Sequence, residues 1–423
     1  MSQGPSRLRR VFLDTAPLRL DPGYRMLWAG QAVNGIGTQI TRVALPYQVY
    51  VLTGSTLAIA ALTACQLVPL LVFSLGAGSI ADAVDRRRLL AITQVGMAAC
   101  SAALVLLSLG GSPPVLAIFA VAFVSWSFSA FDQPARASSV PRLVPPSRLP
   151  AAIALNQLNF QLQSVIGPAF GGLLIATVGL PGAYGVDVLS FGASLIALTR
   201  IPPIPPLGEV ARPGISAIRE ALGFLRTRRV ILSTFVIDLD AMIFGMPTSL
   251  FPVLALDVFR TGPTGVGLLA AAPAAGAFVG ALLSGWLSHV RRPGRAVIVA
   301  VAIWGVAIVA FGLATFWFPL ALACLALAGA ADVFSAVLRG TIVQLETPDE
   351  LRGRVASVNG LVVRSGPALG DIEAAAVASV VGAQASVISG GILCLVGLLG
   401  VVRAFPELGR HADALPATEQ VAG

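Results

Sequence analysis

Gly167-Pro168-Ala169-Phe170-Gly171 recurs as Gly366-Pro367-Ala368-Leu369-Gly370, 199 residues further along a chain of 423. Two other pairs repeat at nearly the same distance. Phe131 and Arg136 return as Phe334 and Arg339, offset by 203, and Gly78, ahead of one arginine cluster, returns as Gly285 ahead of another, offset by 207. Correspondences at nearly one offset point to duplication of a unit about half the chain long. The residues around each copy are overwhelmingly apolar, so the duplicated unit is a bundle of membrane helices.

Composition supports this reading. Hydrophobic residues make up 56% of the chain and charged residues 11%, and the mean hydropathy is +0.85. A soluble domain carries roughly 25% charged residues. That deficit excludes a soluble enzyme, a disordered chain and a nucleic-acid-binding domain. All 28 basic residues are Arg. Without Lys there is no P-loop lysine to cradle ATP and no amine for a Schiff base. Cys65, Cys100, Cys324 and Cys394 lie inside apolar runs without CxxC spacing, and His289 and His411 are far apart. No metal site, cofactor or enzymatic constellation is expected.

A spanning helix needs about 20 mostly apolar residues. Twelve segments qualify: 26–50, 57–80, 89–110, 114–134, 153–176, 182–200, 230–256, 265–287, 296–314, 317–338, 355–380 and 384–404. The expected fold is therefore an all-α integral membrane protein, with twelve transmembrane helices in two six-helix pseudo-symmetric halves. The arginines alternate with these spans. All except Arg42, Arg260 and Arg364 fall in the tails or in loops on one side. The positive-inside rule places that side, and both termini, in the cytoplasm of a multi-pass cell-membrane protein in contact with anionic lipid. The halves are 1–201 and 230–405. The linker 202–229 opens Pro202-Pro203-Ile204-Pro205-Pro206 and ends in an amphipathic stretch, Ile215–Arg229, suited to the membrane surface. Residues 406–423 read as a flexible tail.

Polar residues inside the spans need a reason. In span 1, Gln31, Asn34, Thr38 and Arg42 share a helix face. In span 4, Ser125, Ser129, Asp132 and Arg136 do the same, and in span 10 Asp332, Ser335 and Arg339 repeat the stripe. Asp132/Arg136 and Asp332/Arg339 are candidate gating ion pairs. Asn159 and Gln163 of span 5 join the span 1 stripe as candidates to line a cavity, as do Arg364 and Asp371 of span 11. Span 7 carries Asp238 and Asp240, about 200° apart around a helix. One is expected to take up a coupling proton and the other to be satisfied by a neighbouring helix, with a slight preference for Asp238 as the proton site. Two structural acids are the alternative.

Span 2 ends Gly78-Ser79-Ile80-Ala81-Asp82-Ala83-Val84-Asp85-Arg86-Arg87-Arg88. The glycine, the Asp four residues later and the basic cluster resemble the loop 2–3 signature of the major facilitator superfamily, although Asp85 stands where a Gly is common. That resemblance implies a cytoplasmic latch made of Gly78, Asp82, Asp85, Arg86, Arg87 and Arg88. Gly167, Pro168, Gly171 and Gly172, with Gly366 and Pro367 in the repeat, resemble the span 5 motif of drug:proton antiporters, where glycine and proline let a helix pivot. The pattern departs at Gln163, where that family has a further Gly.

Almost the whole chain resembles the enterobactin-exporter-like branch of these antiporters. The resemblance is carried by Phe251-Pro252, Ser284-Gly285-Trp286-Leu287-Ser288-His289 with Arg292-Pro293-Gly294, Thr347-Pro348 with Gly353-Arg354-Val355, and Gly370-Asp371. It implies two rocking halves with a site between them. It also implies export of a small molecule (a siderophore, a drug or a hydrophobic metabolite) against inward proton flow, by a monomer using no ATP and binding no nucleic acid. A nutrient-uptake carrier of the same fold and a non-transporting sensor or scaffold remain alternatives.

Overall fold

A computed structural model describes residues 14–206 and 223–410. Secondary structure among them is entirely helical. The long helices are α1 (Pro22–Thr53), α2 (Thr56–Ala83), α3 (Arg86–Leu109) and α4 (Val115–Leu143). A continuous run, Leu149–Thr199, is broken at Gly179 (φ 74°, ψ 179°), which only glycine adopts without strain, and its two arms are α5 and α6. Then come α7 (Arg229–Phe244), α8 (Gly262–Leu282), α9 (Pro293–Leu313), α10 (Phe318–Glu346), α11 (Asp349–Val381) and α12 (Ala383–Ala404).

Nine described helical segments are long and apolar enough to cross a membrane, one of them containing both α5 and α6. With α1 and α11, the helices that carry most of the polar stripe and the second Gly-Pro motif, the architecture is consistent with twelve crossings. Several helices overrun the expected spans, α4 by nine residues at its end, because helical geometry continues past the hydrocarbon core into the loops. The amphipathic stretch at Ile215–Arg229 lies largely outside the described residues.

Two compact units divide the described chain, one up to Leu52 and from Cys65 to Ala211, the other Thr53–Ala64 and from Arg212 onward. Within the first, α3 packs on α4 and on the α5/α6 run; within the second, α9 packs on α10 and α12, and α11 on α7. The repeated Gly-Pro motif does the same job in each. A Cβ on Gly171 of α5 would stand 3.1 Å from Ile40 Cα of α1. One on Gly370 of α11 would stand 3.1 Å from Ile243 Cα of α7. Each motif thus lets the fifth helix of its half lie directly on the first, as small-residue stripes do in membranes.

Two details differ from expectation. Span 7 does not continue as an α-helix: it breaks at Gly245-Met246-Pro247 and resumes through a 3₁₀ turn, Thr248–Leu250. Pro247 has no N–H to extend the ladder. The first part of the supposed flexible tail is helical, Pro406–Arg410. Leu408 is buried there, its backbone lies against Gly294, and Arg295 Nε donates to Gly409 O at 3.0 Å.

Candidate functional site

The first unit places a carboxylate, Asp187 of α6, at the meeting of three helices. Thr41 Oγ1 of α1 and Ser101 Oγ of α3 each donate to Asp187 Oδ2 at 2.7 Å. Ser190, one turn on, donates to the Asp187 carbonyl at 2.7 Å and stands 3.4 Å from Oδ1. Asp187 is buried. It borders a cavity of about 50 Å³ that Thr38, Arg42, Gln66, Ser125 and Trp126 also line. The Arg42 guanidinium lies over the Trp126 ring, 5.4 Å from its centroid, within cation–π range.

Of the span 1 stripe, Thr38 and Arg42 face this cavity, whereas Asn34 accepts from Ser190 Oγ at 3.4 Å. The Gln31 carbonyl accepts from Gln163 Nε2 at 3.0 Å. Gln163 also donates to Asn159 Oδ1 at 2.7 Å, and Asn159 Nδ2 donates to Trp28 O at 3.3 Å. Both α5 amides are buried. They turn onto the α1 backbone and tie the two helices together rather than pointing into the cavity. Where the antiporter motif has glycine, this chain thus has a hydrogen-bonding side chain.

The sequence reading passed over Asp187. It is a lone acid in an otherwise apolar span, and intramembrane cost alone marks it for attention. Its donors come from residues 41 and 101, too far away in sequence for any local pattern to pair them.

At the ends of the same helices the loop 2–3 arginines hold the unit together. Asp85 caps α3, its carboxylate accepting from Arg87 N at 2.9 Å and Arg88 N at 3.2 Å. An Asp here does what the more common Gly cannot. Arg86 is buried, donating to Ser138 Oγ at 2.9 Å and Pro205 O at 3.2 Å. Arg87 donates to Thr199 O at the end of α6, 3.0 Å away, while Arg88 is exposed. Gly78 and Asp82 sit in helical backbone, but their side-chain surroundings lie outside what is described. Asp132 accepts from Arg136 Nη2 at 2.9 Å and from Thr93 Oγ1 of α3 at 3.0 Å, so it joins α3 to α4.

The second unit sets its charges differently. Arg339 of α10 pairs with Asp238 of α7, and its other terminal nitrogen stands 3.9 Å from Asp332. Asp238 and Arg339 are buried and Asp332 is half-buried. Asp240, on the other side of α7, lies against Gly397 of α12. Its buried Oδ2 has no hydrogen-bond partner among the described residues. Asp371 of α11 serves the break in α7, its carboxylate accepting from Thr248 Oγ1 at 2.6 Å and Ser249 N at 2.7 Å. Trp304 Nε1 donates to Gly245 O at 2.8 Å. The backbone groups freed by unwinding are thereby satisfied from α9 and α11, the condition for broken helix in a membrane. Arg364 is exposed and, among the described residues, forms no ion pair with Asp371 or Glu373. No group of three or more His, Cys, Asp or Glu side chains suited to a metal occurs among the described residues.

Comparison with known proteins gives concordant matches. A family model described as a transmembrane secretion effector matches residues 14–419. The enterobactin exporter EntS of Citrobacter koseri is 30% identical, over 96% of this chain and 98% of its own length. Its counterpart in Shigella boydii serotype 18 is 29% identical over 82% of this chain and 83% of its own. Among solved structures, a bacterial homologue of the iron transporter ferroportin in an inward-facing state aligns with TM-score 0.70 and 15% identity, covering 92% of this chain and 98% of its own. A bacterial homologue of the human lysosomal transporter Spinster gives TM-score 0.70 and 14% identity, covering 96% and 99%. These two likenesses concern the fold.

Proposed function

The chain belongs to the transmembrane secretion effector family, within the major facilitator superfamily, and from that premise we propose that it exports a siderophore-class small molecule across the cell membrane, driven by inward proton flow. It is a multi-pass secondary transporter whose work is export. The observation that carries the substrate reading is the match to an enterobactin exporter over nearly the full length of both chains. Alternating access is the proposed mechanism. Both termini are assigned to the cytoplasm, and the working unit to a monomer in lipid.

The geometry supports a division of labour. Asp132, Asp238 and Asp332 each have an arginine nearby, and such pairs suit a gate that forms and breaks as the transporter changes state. Asp240 has no cation beside it among the described residues, and one oxygen is unpartnered. A carboxylate in that position gains most from taking up a proton. We therefore assign the second unit's coupling proton to Asp240 rather than Asp238. Arg86 and Arg87, bound to the ends of α4 and α6 and to the following linker, are assigned to the latch.

The test is complementation. In an enterobactin-producing host lacking its own exporter, expression of this protein restores enterobactin to the medium. Unrestored secretion, with the protein present in the membrane and active on another secreted compound, overturns the substrate assignment.

A further inference from the structure

We propose that Asp187 is a proton-binding carboxylate in the first unit, reached through water in the cavity beside it, and separate from the acids of α7. The inference rests on the proton-coupled reading above. Three observations carry it. First, the carboxylate is buried yet is held by neutral hydroxyls from α1, α3 and its own helix. An arginine pins a carboxylate in its ionised form. A hydroxyl donates to the ionised form and, after rotating, accepts from the protonated one. The cage therefore accommodates both states without rebuilding.

Second, volume decides what the cavity takes. Ligand pockets run to about 300–1,000 Å³, whereas a water needs roughly 10–15 Å³ of such space. At about 50 Å³ the cavity admits a few waters and no siderophore. Thr38, Gln66, Ser125 and Ser129 supply the polar partners those waters need.

Third, the charges facing Asp187 are few. From α1, Arg42 lines the same cavity, stacked on Trp126 of α4. On α6 itself, Tyr184 directs its hydroxyl to Gln48 Oε1 at 2.7 Å. From α3 the cavity is lined by Met97, Ser101 and Leu104, none of them charged, and α2 and α4 bring neutral polar side chains to it. Uptake is a simple transfer. A hydronium in the cavity gives its proton to an Asp187 oxygen, the Thr41 or Ser101 hydroxyl turns to accept it, and water is left behind. Because the donors sit on α1 and α3, gain of the proton changes the hydrogen bonds joining three helices.

Two measurements on full-length protein test this. In the detergent-solubilised protein, pH-difference infrared spectroscopy reads protonated carboxyl groups directly, with no transport required. Asp187→Asn is expected to remove a carboxyl band that Asp240→Asn leaves in place. In proteoliposomes, Asp187→Asn is expected to retain downhill enterobactin counterflow and to lose accumulation driven by a pH gradient, and Asp187→Glu to recover part of it. An unchanged band together with intact gradient-driven accumulation in Asp187→Asn overturns the proposal. Wild-type transport indifferent to a pH gradient overturns instead the proton-coupled reading, and the infrared band still decides whether Asp187 takes up a proton. Loss of counterflow in both variants shows a structural role and also overturns the proposal.

Discussion

Single residues decide which charges are fixed and which are free. Arg339 neutralises Asp238 deep in the second unit. Removing one partner of a buried pair strands the other and costs about 3–5 kcal/mol, while neutralising both costs less. Arg339→Ala is therefore expected to lower the melting temperature in detergent well below that of the double variant Asp238→Asn/Arg339→Gln. Equal melting temperatures would show that the pair contributes nothing. The pairing was only half legible in sequence. The stripe Asp332, Ser335, Arg339 was visible at helical spacing, but the Asp238–Arg339 contact joins α7 to α10, about a hundred residues apart. Asp187 escaped notice for the same reason, since its donors come from other helices. The loop 2–3 arginines were legible as a cluster. Their acceptors, backbone carbonyls and a serine hydroxyl, were not, because a carbonyl leaves no mark in sequence.

Elements are shaped by where helices break and how closely they pack. Asp371 accepts the Ser249 N–H exposed by the break in α7. Asp371→Ala leaves that donor unmet, at a cost of about 1–3 kcal/mol, and is expected to slow transport while the protein still reaches the membrane. Transport at the wild-type rate would show that the break does not depend on this contact. Gly179 holds φ 74° between α5 and α6. Alanine there is expected to cost about 1–3 kcal/mol, read as a lower melting temperature, whereas alanine at Gly192, which faces open space, is expected to change little. Leucine at Gly171 or Gly370 is expected to abolish transport, because the partner helix lies directly against each position. The duplicated Gly-Pro motif was legible as a repeat and was read as a pivot; the close packing of α5 on α1 and of α11 on α7 depends on partners that the motif does not name. The α7 break was missed because the run from 230 to 256 was read by its mean hydropathy, and hydropathy does not register a lost backbone hydrogen bond.

The whole molecule follows from the partition of its charges. Arginine-rich loops alternate with apolar spans, and that alternation is the basis for the proposal that the termini lie in the cytoplasm. Cysteine placed at Gly111, in the loop after α3, is expected to react with an impermeant maleimide in intact cells, and cysteine placed at Arg291 only after lysis. The reverse pattern would invert the topology. The family and its membrane architecture were legible from composition, span count and motif alone; the substrate was not, because one fold hosts many specificities. Proton-driven export is the central claim, and inside-out vesicles made from cells expressing this protein test it most directly. Energised so that their interior is acid, they are expected to accumulate enterobactin, to lose it when an uncoupler collapses the gradient, and to fail to accumulate it when carrying Asp240→Asn. Accumulation that persists without the gradient, or that proceeds undiminished in Asp240→Asn, would contradict the account.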